Sequence, residues 1–134
     1  MSSLIVAAGQ YSASADPVQN LALAAGLVAP AADQGAQLIA FPEGAMAAFD
    51  SPLRDLAEPL DGRYATGIRE LAARHSLTMV TGMFTPGEGG RVRNTLLATG
   101  PDGEWTYDKI HLFDAFGSRE SDLVESGEQI VTFD

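Results

Sequence analysis

The sequence predicts an α/β layered domain, and two observations support that prediction. Strand-like and helix-like stretches alternate along the first two thirds of the chain, in the order 4–11, 17–35, 38–41, 62–75 and 77–84. Strands that alternate with helices in this way usually form a mainly parallel sheet with the helices packed on it. The composition agrees, because 46% of the 134 residues are apolar and 19% are charged, which is ordinary for a globular domain.

The first strand and the first helix have clear boundaries in the sequence. Residues 4–11 are largely apolar and are bounded by serine and by Asp-Pro, which predicts a buried first strand. Asp16 and Pro17 predict the start of a helix, with aspartate as the N-cap and proline at the first helical position. Pro30 is expected to kink or interrupt this helix, because it clashes with the preceding turn and lacks an amide donor. We expect the helix to resume and to end near Gly35.

The later elements are predicted from shorter patterns. Residues 38–41 form a continuous apolar run, typical of a strand covered on both faces. Residues 62–75 carry apolar side chains at helical spacing, and residues 77–84 return to strand composition. After a glycine-rich turn, further strands are predicted at 94–99, 104–107 and 128–134. Two helices are too few to cover both faces of a sheet with so many strands. We therefore expect either a segment of a longer enzyme or a subunit that takes its missing layer from a partner.

The net charge and the composition of the chain exclude several classes of partner. The net charge of -10 repels phosphate backbones and anionic lipid, so neither nucleic acid nor a membrane is expected as a partner. No apolar run approaches the roughly 18 residues of a membrane helix, and the start of the chain lacks the basic region of a signal peptide, so we expect a cytoplasmic protein. The chain has no cysteine, which excludes disulfides and thiolate metal sites. Its two histidines lack clustered acidic ligands, so neither a metal nor a cofactor is predicted.

Glu43 is the first candidate for catalysis. It follows the apolar run 38–41 and Pro42, and ligands of open α/β sheets bind at the carboxyl ends of strands. A carboxylate partly removed from water at such a place suits a general base. The alternative is a glutamate that caps the following turn.

Lys109 is the second candidate. It lies in a strand-like run, and alternation along that run puts Lys109, His111 and Phe113 on one face. An ammonium among apolar neighbours needs a partner, and it can stabilise the negative oxygen that develops when a carbonyl is attacked. The alternative is an edge-strand lysine that discourages aggregation. His111 itself is more typical of a packed, hydrogen-bonded strand histidine than of a base.

Four short motifs, in this order along the chain, resemble those of the carbon-nitrogen hydrolase family of nitrilases, aliphatic amidases and N-carbamoyl hydrolases. The resemblance spans essentially the whole chain. The motifs are Phe41-Pro42-Glu43, Asn94-Thr95-Leu96, Lys109-Ile110-His111-Leu112-Phe113-Asp114 and Arg119-Glu120-Ser121.

The resemblance implies a fold and a set of roles. The family fold is an α-β-β-α sandwich, so residues 1–134 are expected to be a single partial domain, with the N-terminal strands and two helices covering one face. Glu43 and Lys109 would be two members of a Glu-Lys-Cys triad that hydrolyses a carbon-nitrogen bond. Glu120 is expected to orient the lysine or the substrate, and His111 is a second candidate for binding or orienting substrate. Pairing of copies through helices is implied as well, so we expect a homo-oligomer.

The chain itself contains no nucleophile for this chemistry, because the cysteine is missing. One hypothesis is the N-terminal portion of an amidase or nitrilase, cut off before its cysteine and acting on a small linear substrate. A second is a shortened, non-catalytic homologue that serves as a binding or assembly module. A third and weaker hypothesis is a hydrolase built on two carboxylates, Glu43 and Glu120, in which Lys109 would be dispensable.

Overall fold

The computed structural model describes residues 3–133, and within that range the main element is a six-stranded sheet. Five strands lie in the order β1-β2-β3-β4-β5, and β8 pairs with β4, while β6 and β7 form a separate two-stranded hairpin. The strands are β1 (Val6–Ala8), β2 (Leu38–Ala40), β3 (Thr78–Pro86), β4 (Val92–Gly100), β5 (Gly103–Asp108), β6 (Asp114–Ala115), β7 (Ser118–Arg119) and β8 (Val124–Glu125). The helices are α1 (Pro17–Asp33), α2 (Leu53–Leu56) and α3 (Arg63–His75), with 3-10 turns at Glu88–Gly90 and Glu120–Asp122.

The predicted alternation of strands and helices is confirmed. β1, β2 and β3 are parallel neighbours, and α1 and α3 lie in the connections between them. β3, β4 and β5 then run antiparallel, joined by the turn at Glu88–Gly90 and by a tight turn at Pro101 and Asp102. The early part of the sheet is therefore parallel, as its helical connections require.

The first helix begins where the sequence predicts and ends close to the expected place. The Asp16 carboxylate accepts hydrogen bonds from the amides of Val18 (2.9 Å) and Gln19 (3.2 Å), and Pro17 is the first helical residue. The predicted interruption at Pro30 is wrong, because α1 continues as one helix to Asp33. Pro30 lies in the last turns, where its own carbonyl still accepts the Gln34 amide (3.3 Å).

Helices α1 and α3 pack against each other and against one face of the sheet. A second, smaller cluster of buried side chains lies beneath α2 and β8. The main cluster includes Ala24, Val28, Ile39, Tyr64, Ile68, Met79, Met83 and Leu97, and the smaller one contains Ala47, Leu53, Phe84, Val92 and Val124. Because Ala45 and Met46 belong to the first cluster and Ala47 to the second, the loop after β2 packs into both.

The other face of the early strands is only partly covered, which corrects two predictions. β1 has three residues at the edge of the sheet, and Leu4, Ile5 and Val6 are 65%, 49% and 53% exposed, so the predicted buried first strand is wrong. In β2 the helices bury Ile39, but Leu38 on the opposite face stays partly exposed, so cover on both faces is wrong as well.

The strand predicted around Lys109 is also wrong. β5 ends at Asp108, and the Lys109 amide makes one more hydrogen bond to the Asn94 carbonyl (2.9 Å) before the chain leaves the sheet. The reason is competition for one edge, because β8 pairs with Val92 and Arg93 of β4, where a longer β5 would have continued. His111 is therefore exposed and outside any strand, so its expected packing within a strand is wrong.

No strand forms over residues 128–133, which are irregular, and Asp134 lies outside the described residues. The prediction of a last strand is therefore wrong for the part that the structure describes. Instead, the Phe133 ring stacks on Trp105 of β5, with ring centres 4.8 Å apart. The apolar pattern in this segment reflects packing across β5 and not pairing with it.

Candidate active site

Glu43 stands at the start of the loop that follows β2. The Phe41 amide still donates to the Val80 carbonyl of β3 (2.8 Å), and Pro42 then ends the ladder because it has no amide hydrogen. The loop turns back at once, with the Met46 amide bound to the Gly82 carbonyl (3.1 Å). Glu43 is thus placed at the carboxyl end of a strand, where α/β sheets bind ligands.

Buried side chains from the beginning of the chain hold this loop. The Asn20 side chain is 0% exposed, and its amide donates to the carbonyls of Met46 and Ser14, both at 2.8 Å. The Tyr11 hydroxyl donates to the Ala45 carbonyl (2.8 Å), and burial raises the pKa of Tyr11, so the hydroxyl keeps its proton. The position of Glu43 therefore depends on the packing of the core.

Gly82 is a third determinant of the loop position, and it is not among the residues predicted for the site. A Cβ at this position of β3 would overlap the Glu43 carbonyl, so only glycine lets the two backbones approach. The available signal was a glycine inside a predicted strand, which often marks a close backbone approach.

Lys109 bridges two carboxylates. Its Nζ lies 2.9 Å from Glu43 Oε1 and 3.1 and 3.0 Å from Glu120 Oε1 and Oε2. An ammonium has three hydrogens to donate, so these three oxygens match its full capacity. The side chains are 51% (Glu43), 26% (Lys109) and 15% (Glu120) exposed, which makes Glu43 the most accessible member of the cluster.

Glu120 is held by the backbone as well as by the lysine. It begins the 3-10 turn after β7, and its Oε2 accepts the Phe113 amide (2.6 Å) while its own amide donates to the Phe113 carbonyl (3.2 Å). The β6–β7 hairpin lies between these two residues and brings them together. Both the orientation of Glu120 and its distance to Lys109 therefore come from local hydrogen bonds.

The charge of Lys109 is stabilised by its partners. Burial by itself would lower the pKa of Lys109, but hydrogen bonds to Glu43 and Glu120 outweigh burial and raise that pKa above its ordinary value. The ammonium is consequently a permanent cation at neutral pH. It suits stabilisation of negative charge and does not suit proton abstraction.

Asn94 belongs to this site by geometry. It is 4% exposed on β4, its side-chain amide donates to Glu43 Oε1 (2.8 Å), and its carbonyl accepts the Lys109 amide. In the sequence Asn94 is recognisable only as part of a family motif, which predicts no contact for it. The signal in the sequence was a polar residue in a predicted strand. The sequence could not reveal the partner of Asn94, because that contact depends on the register of β4 in the sheet.

Two cavities adjoin the cluster. One of 180 Å³ lies over Gly82, Asn94 and Tyr107, and one of 510 Å³ lies on the side of Glu120. The larger cavity is lined by Glu43, Phe49, Leu53, Lys109, Phe113, Ser118, Arg119, Glu120, Leu123 and Val124. The pair Glu43 and Lys109 therefore faces space of a size that small-molecule sites commonly have.

His111 is not brought to this cluster. It lines a different cavity of 420 Å³, next to Trp105, Tyr107 and Phe133. Ser121 is close to Glu120 in sequence, but its hydroxyl donates to the Asp114 carboxylate (2.6 Å), and these hydrogen bonds lower the pKa of Asp114. Glu43, Lys109 and Glu120 thus converge as the sequence led us to expect, and His111 lies apart.

Two kinds of feature are absent from residues 3–133. In that range no group of three or more histidine, cysteine, aspartate or glutamate residues is arranged to hold a metal ion. In the same range no helix has the length and apolar character needed to span a membrane.

Residues 5–134 match the family model for carbon-nitrogen hydrolases, and the chain belongs to that family. A Mycobacterium tuberculosis protein named only as a hydrolase is 45% identical over 130 residues, which is 94% of this chain and 46% of that protein. The omega-amidase NIT2 of Mus musculus is 32% identical over 146 residues, covering 100% of this chain and 51% of the relative. The chain therefore spans about half the length of the curated relatives it matches.

Solved structures agree with the family assignment. A carbon-nitrogen hydrolase superfamily protein from Xanthomonas campestris, with an arsenic adduct in its active site, superposes with a TM-score of 0.84 at 32% identity over 96% of this chain and 48% of that one. An amidase from Nesterenkonia sp. superposes with a TM-score of 0.78 at 26% identity, over 94% of this chain and 49% of that one. The predicted family and the nitrilase-like α/β fold are confirmed.

Proposed function

We propose that this chain supplies the glutamate and the lysine of an amide-hydrolysing Glu-Lys-Cys triad, and that the thiol comes from polypeptide outside these 134 residues. The observation that carries the proposal is the bridge from Lys109 Nζ to Glu43 Oε1 (2.9 Å) and to Glu120 Oε2 (3.0 Å) beside a 510 Å³ cavity. Relatives named omega-amidase and deaminated glutathione amidase support an amide as substrate.

In the proposed reaction, Glu43 acts first as a base. It takes the proton of the thiol, the thiolate attacks the amide carbon, and the carbonyl oxygen becomes an oxyanion that Lys109 stabilises. Collapse of this adduct expels ammonia, which takes up the proton from Glu43, and leaves a thioester. Glu43 then takes a proton from water as the water attacks the thioester, and collapse of this second adduct releases the acid while Glu43 returns its proton to the departing thiolate.

The contacts of Lys109 give a reason why Glu43 suits this role. Three carboxylate oxygens lie within hydrogen-bond distance of Lys109 Nζ in the resting site, so an oxyanion has to displace one of them. Once Glu43 is protonated it is neutral, and its hold on Lys109 weakens because a charge-assisted bond becomes an ordinary one. Proton transfer to Glu43 would therefore free a donor at the moment when the oxyanion forms.

Glu120 fits the role of positioning residue for the lysine. Its carboxylate is tied to Lys109 and to the Phe113 amide, and only 15% of its side chain is exposed. A carboxylate held in this way is poorly placed to exchange protons with substrate, which speaks against a hydrolase built on Glu43 and Glu120 without Lys109.

The alternative of a binding or assembly module has one observation in its favour. β1 and the residues before it expose Leu4, Ile5 and Val6 at the sheet edge, and exposed apolar strands favour association. Five expectations stay predictions: a partial domain over residues 1–134, homo-oligomer formation, a cytoplasmic location, nitriles as further substrates, and substrate binding by His111.

The test uses the natural gene product, whose intact mass is measured first. Ammonia release from small amides should be blocked by iodoacetamide. It should fall by about 10²–10⁴-fold in Glu43→Gln and about 10²–10³-fold in Lys109→Ala. The matched controls Glu70→Gln and Arg74→Ala change exposed residues of α3 and should keep full activity.

Each contrary result points to a different alternative. Full activity in Lys109→Ala would support the two-carboxylate hydrolase. A stable product near 14.1 kDa that releases no ammonia would support the module. Activity that survives iodoacetamide would rule out the thiol.

A further inference from the structure

The Glu43 carboxylate is held through one of its two oxygens. Asn94 Nδ2 lies 2.8 Å and Lys109 Nζ lies 2.9 Å from Oε1, and among the described residues no donor reaches Oε2. A carboxylate oxygen has two lone-pair sites, so two donors match the capacity of Oε1. A proton that arrives at Glu43 therefore has Oε2 as its acceptor, and the side chain is 51% exposed, so a reactant can reach it.

The two donors at Oε1 differ in how firmly they are fixed. Lys109 has a long side chain whose Nζ also contacts both oxygens of Glu120, so it can turn toward another anion and stay paired. Asn94 is 4% exposed, and within residues 3–133 Glu43 Oε1 is the one acceptor of its side-chain amide. Release of that bond would leave a buried amide without a partner, which costs more than a typical hydrogen bond contributes.

The sheet fixes the backbone of Asn94 on both sides. Asn94 lies opposite Phe84 of β3, which is 1% exposed and belongs to the smaller buried cluster. Its carbonyl accepts the Lys109 amide (2.9 Å) just beyond the end of β5. A short side chain on such a backbone has few alternative rotamers. The sheet therefore sets the position of the donor at Oε1, whatever the charge on Glu43.

We propose that Asn94 is a positioning residue that holds Glu43 by Oε1 in both protonation states, and so makes Oε2 the oxygen that exchanges protons. The inference rests on the proposed function, in which Glu43 is protonated twice in each cycle. Oε2 takes the proton of the thiol and gives it to the departing ammonia, and it then takes a proton from water and gives it to the departing thiolate. Lys109 can turn from Oε1 to the oxyanion, because Asn94 keeps the carboxyl group aligned.

An NMR experiment on the 134-residue chain tests the bond in both states. Asn20 and Asn94 are the two asparagines of the sequence, so ¹⁵N-asparagine labelling gives two side-chain amide signals, which Asn94→Leu assigns. Glu43→Gln mimics the neutral acid, because its carbonyl oxygen still accepts, whereas Glu43→Ala removes the acceptor. We expect hydrogen exchange of the Asn94 amide to stay within about threefold of the parent in Glu43→Gln and to rise about tenfold or more in Glu43→Ala.

The Asn20 amide is the internal control. It holds the same loop through the Met46 carbonyl (2.8 Å) and does not contact Glu43, so its exchange should be unchanged in both variants. Equal acceleration at Asn94 in Glu43→Gln and Glu43→Ala would overturn the proposal, because Asn94 would then release the neutral state. The absence of acceleration in Glu43→Ala would overturn it as well, because the amide would not depend on Glu43.

Kinetics of the natural gene product separate positioning from packing. Asn94→Leu fills a similar volume without a donor, so kcat should fall about 10–100-fold both in Asn94→Leu and in Asn94→Ala. KM should change less than about twofold, because Asn94 is not among the residues that line the 510 Å³ cavity beside the triad. Thr99→Val is the matched control, since Thr99 is 6% exposed near the other end of β4, and it should keep the parent kcat.

The variants also separate this inference from the proposed function. A kcat near the parent value in Asn94→Leu, with a loss in Asn94→Ala, would show a packing role and overturn the inference. If both Asn94 variants keep full kcat while Glu43→Gln is inactive, the inference is wrong and the proposed function stands. If Glu43→Gln is itself fully active, the proposed function is wrong, and the inference is wrong with it.

Discussion

The loop that carries Glu43 and the segment that carries Lys109 and Glu120 meet at one point, but different interactions hold them. Ala45, Met46 and Ala47 follow Glu43 and are at most 1% exposed, whereas every residue from 109 to 123 is at least partly exposed. Core packing thus places the base, and charge and local hydrogen bonds place the cation with its second carboxylate. Substitutions in the core should therefore displace Glu43, whereas substitutions that remove a charge should change the pKa of Lys109.

The largest effect is expected where the Glu43 loop touches β3. Gly82→Ala should lower the free energy of unfolding by about 3 kcal/mol, because the new methyl group overlaps the Glu43 carbonyl. Urea denaturation measures the change. Gly26→Ala is the matched control, since a Cβ there meets nothing within 4 Å in the middle of α1, and it should stabilise the chain by about 0.5–1 kcal/mol. Equal effects from the two substitutions would contradict close packing of Gly82 on the loop.

A smaller loss is expected when the buried clamp on the loop is removed. Asn20→Ala leaves the carbonyls of Met46 and Ser14 without their donor and should cost about 2 kcal/mol of unfolding free energy. Gln34→Ala removes a comparable side-chain hydrogen bond, to the Pro30 carbonyl at the exposed end of α1, and should change stability by less than about 0.5 kcal/mol. If Asn20→Ala were as mild as Gln34→Ala, the loop would not depend on the core in the way described.

In the segment that carries Lys109 and Glu120, the neighbouring carboxylates should determine the pKa of Lys109. Lys109 is the only lysine in the sequence, so selective ¹³C,¹⁵N-lysine labelling gives one side-chain NMR signal whose titration reports its pKa. That pKa should lie above the ordinary lysine value, and Glu43→Gln or Glu120→Gln should lower it. In the double variant only neutral acceptors oppose burial, so the pKa should fall further than in either single variant. Glu70→Gln, on the exposed face of α3, should leave the signal unchanged, and an unshifted pKa in both single variants would contradict the bridge.

The same pKa shift has a defined effect on stability. The pKa of Lys109 is higher in the folded than in the unfolded chain, so its ion pairs stabilise the fold fully below the unfolded-state pKa. This contribution is lost as pH rises through the folded-state pKa. Unfolding free energy measured from pH 8 to 12 should therefore decline more steeply for the parent chain than for Lys109→Gln, and parallel profiles would contradict the shift.

The smallest effect is expected at an exposed ion pair of the same segment. Arg119 and Asp122 are 70% and 69% exposed, so Arg119→Ala should change the free energy of unfolding by less than about 0.5 kcal/mol in urea titrations. A loss as large as that of Asn20→Ala would mean that surface charge, and not the partly buried bridge at Lys109, holds this segment together.

Much of the fold was predictable from the sequence because its signals are local. The Asp16 cap and the helical spacing in α3 each depend on a few neighbouring residues, and each lies where predicted. The limits of the strands were predicted less well. Residues after Asp108 have strand composition, but β8 occupies the edge of β4 that they would need, and no local pattern reports that competition.

The candidate site divides in the same way. Glu43, Lys109 and Glu120 were singled out from motifs, and the structure brings their charged atoms together. Asn94 and Gly82 were not assigned to the site, because their contacts follow from the register of β3 against β4 and from the approach of a loop over that pair. His111 was expected on the same face as Lys109 because of alternation in a strand that does not form.

The sequence by itself determined the order of the five strands β1 to β5 and of the two long helices, the family, and the residue types available for chemistry. These depend on the pattern of side chains among neighbouring residues, which can be read directly from the sequence. The tertiary structure decided where β5 stops, which side chains meet Glu43, and how the hydrogens of Lys109 are shared between two carboxylates. Such facts depend on distances between segments remote in sequence, which are set only when the sheet register and the packed core exist together.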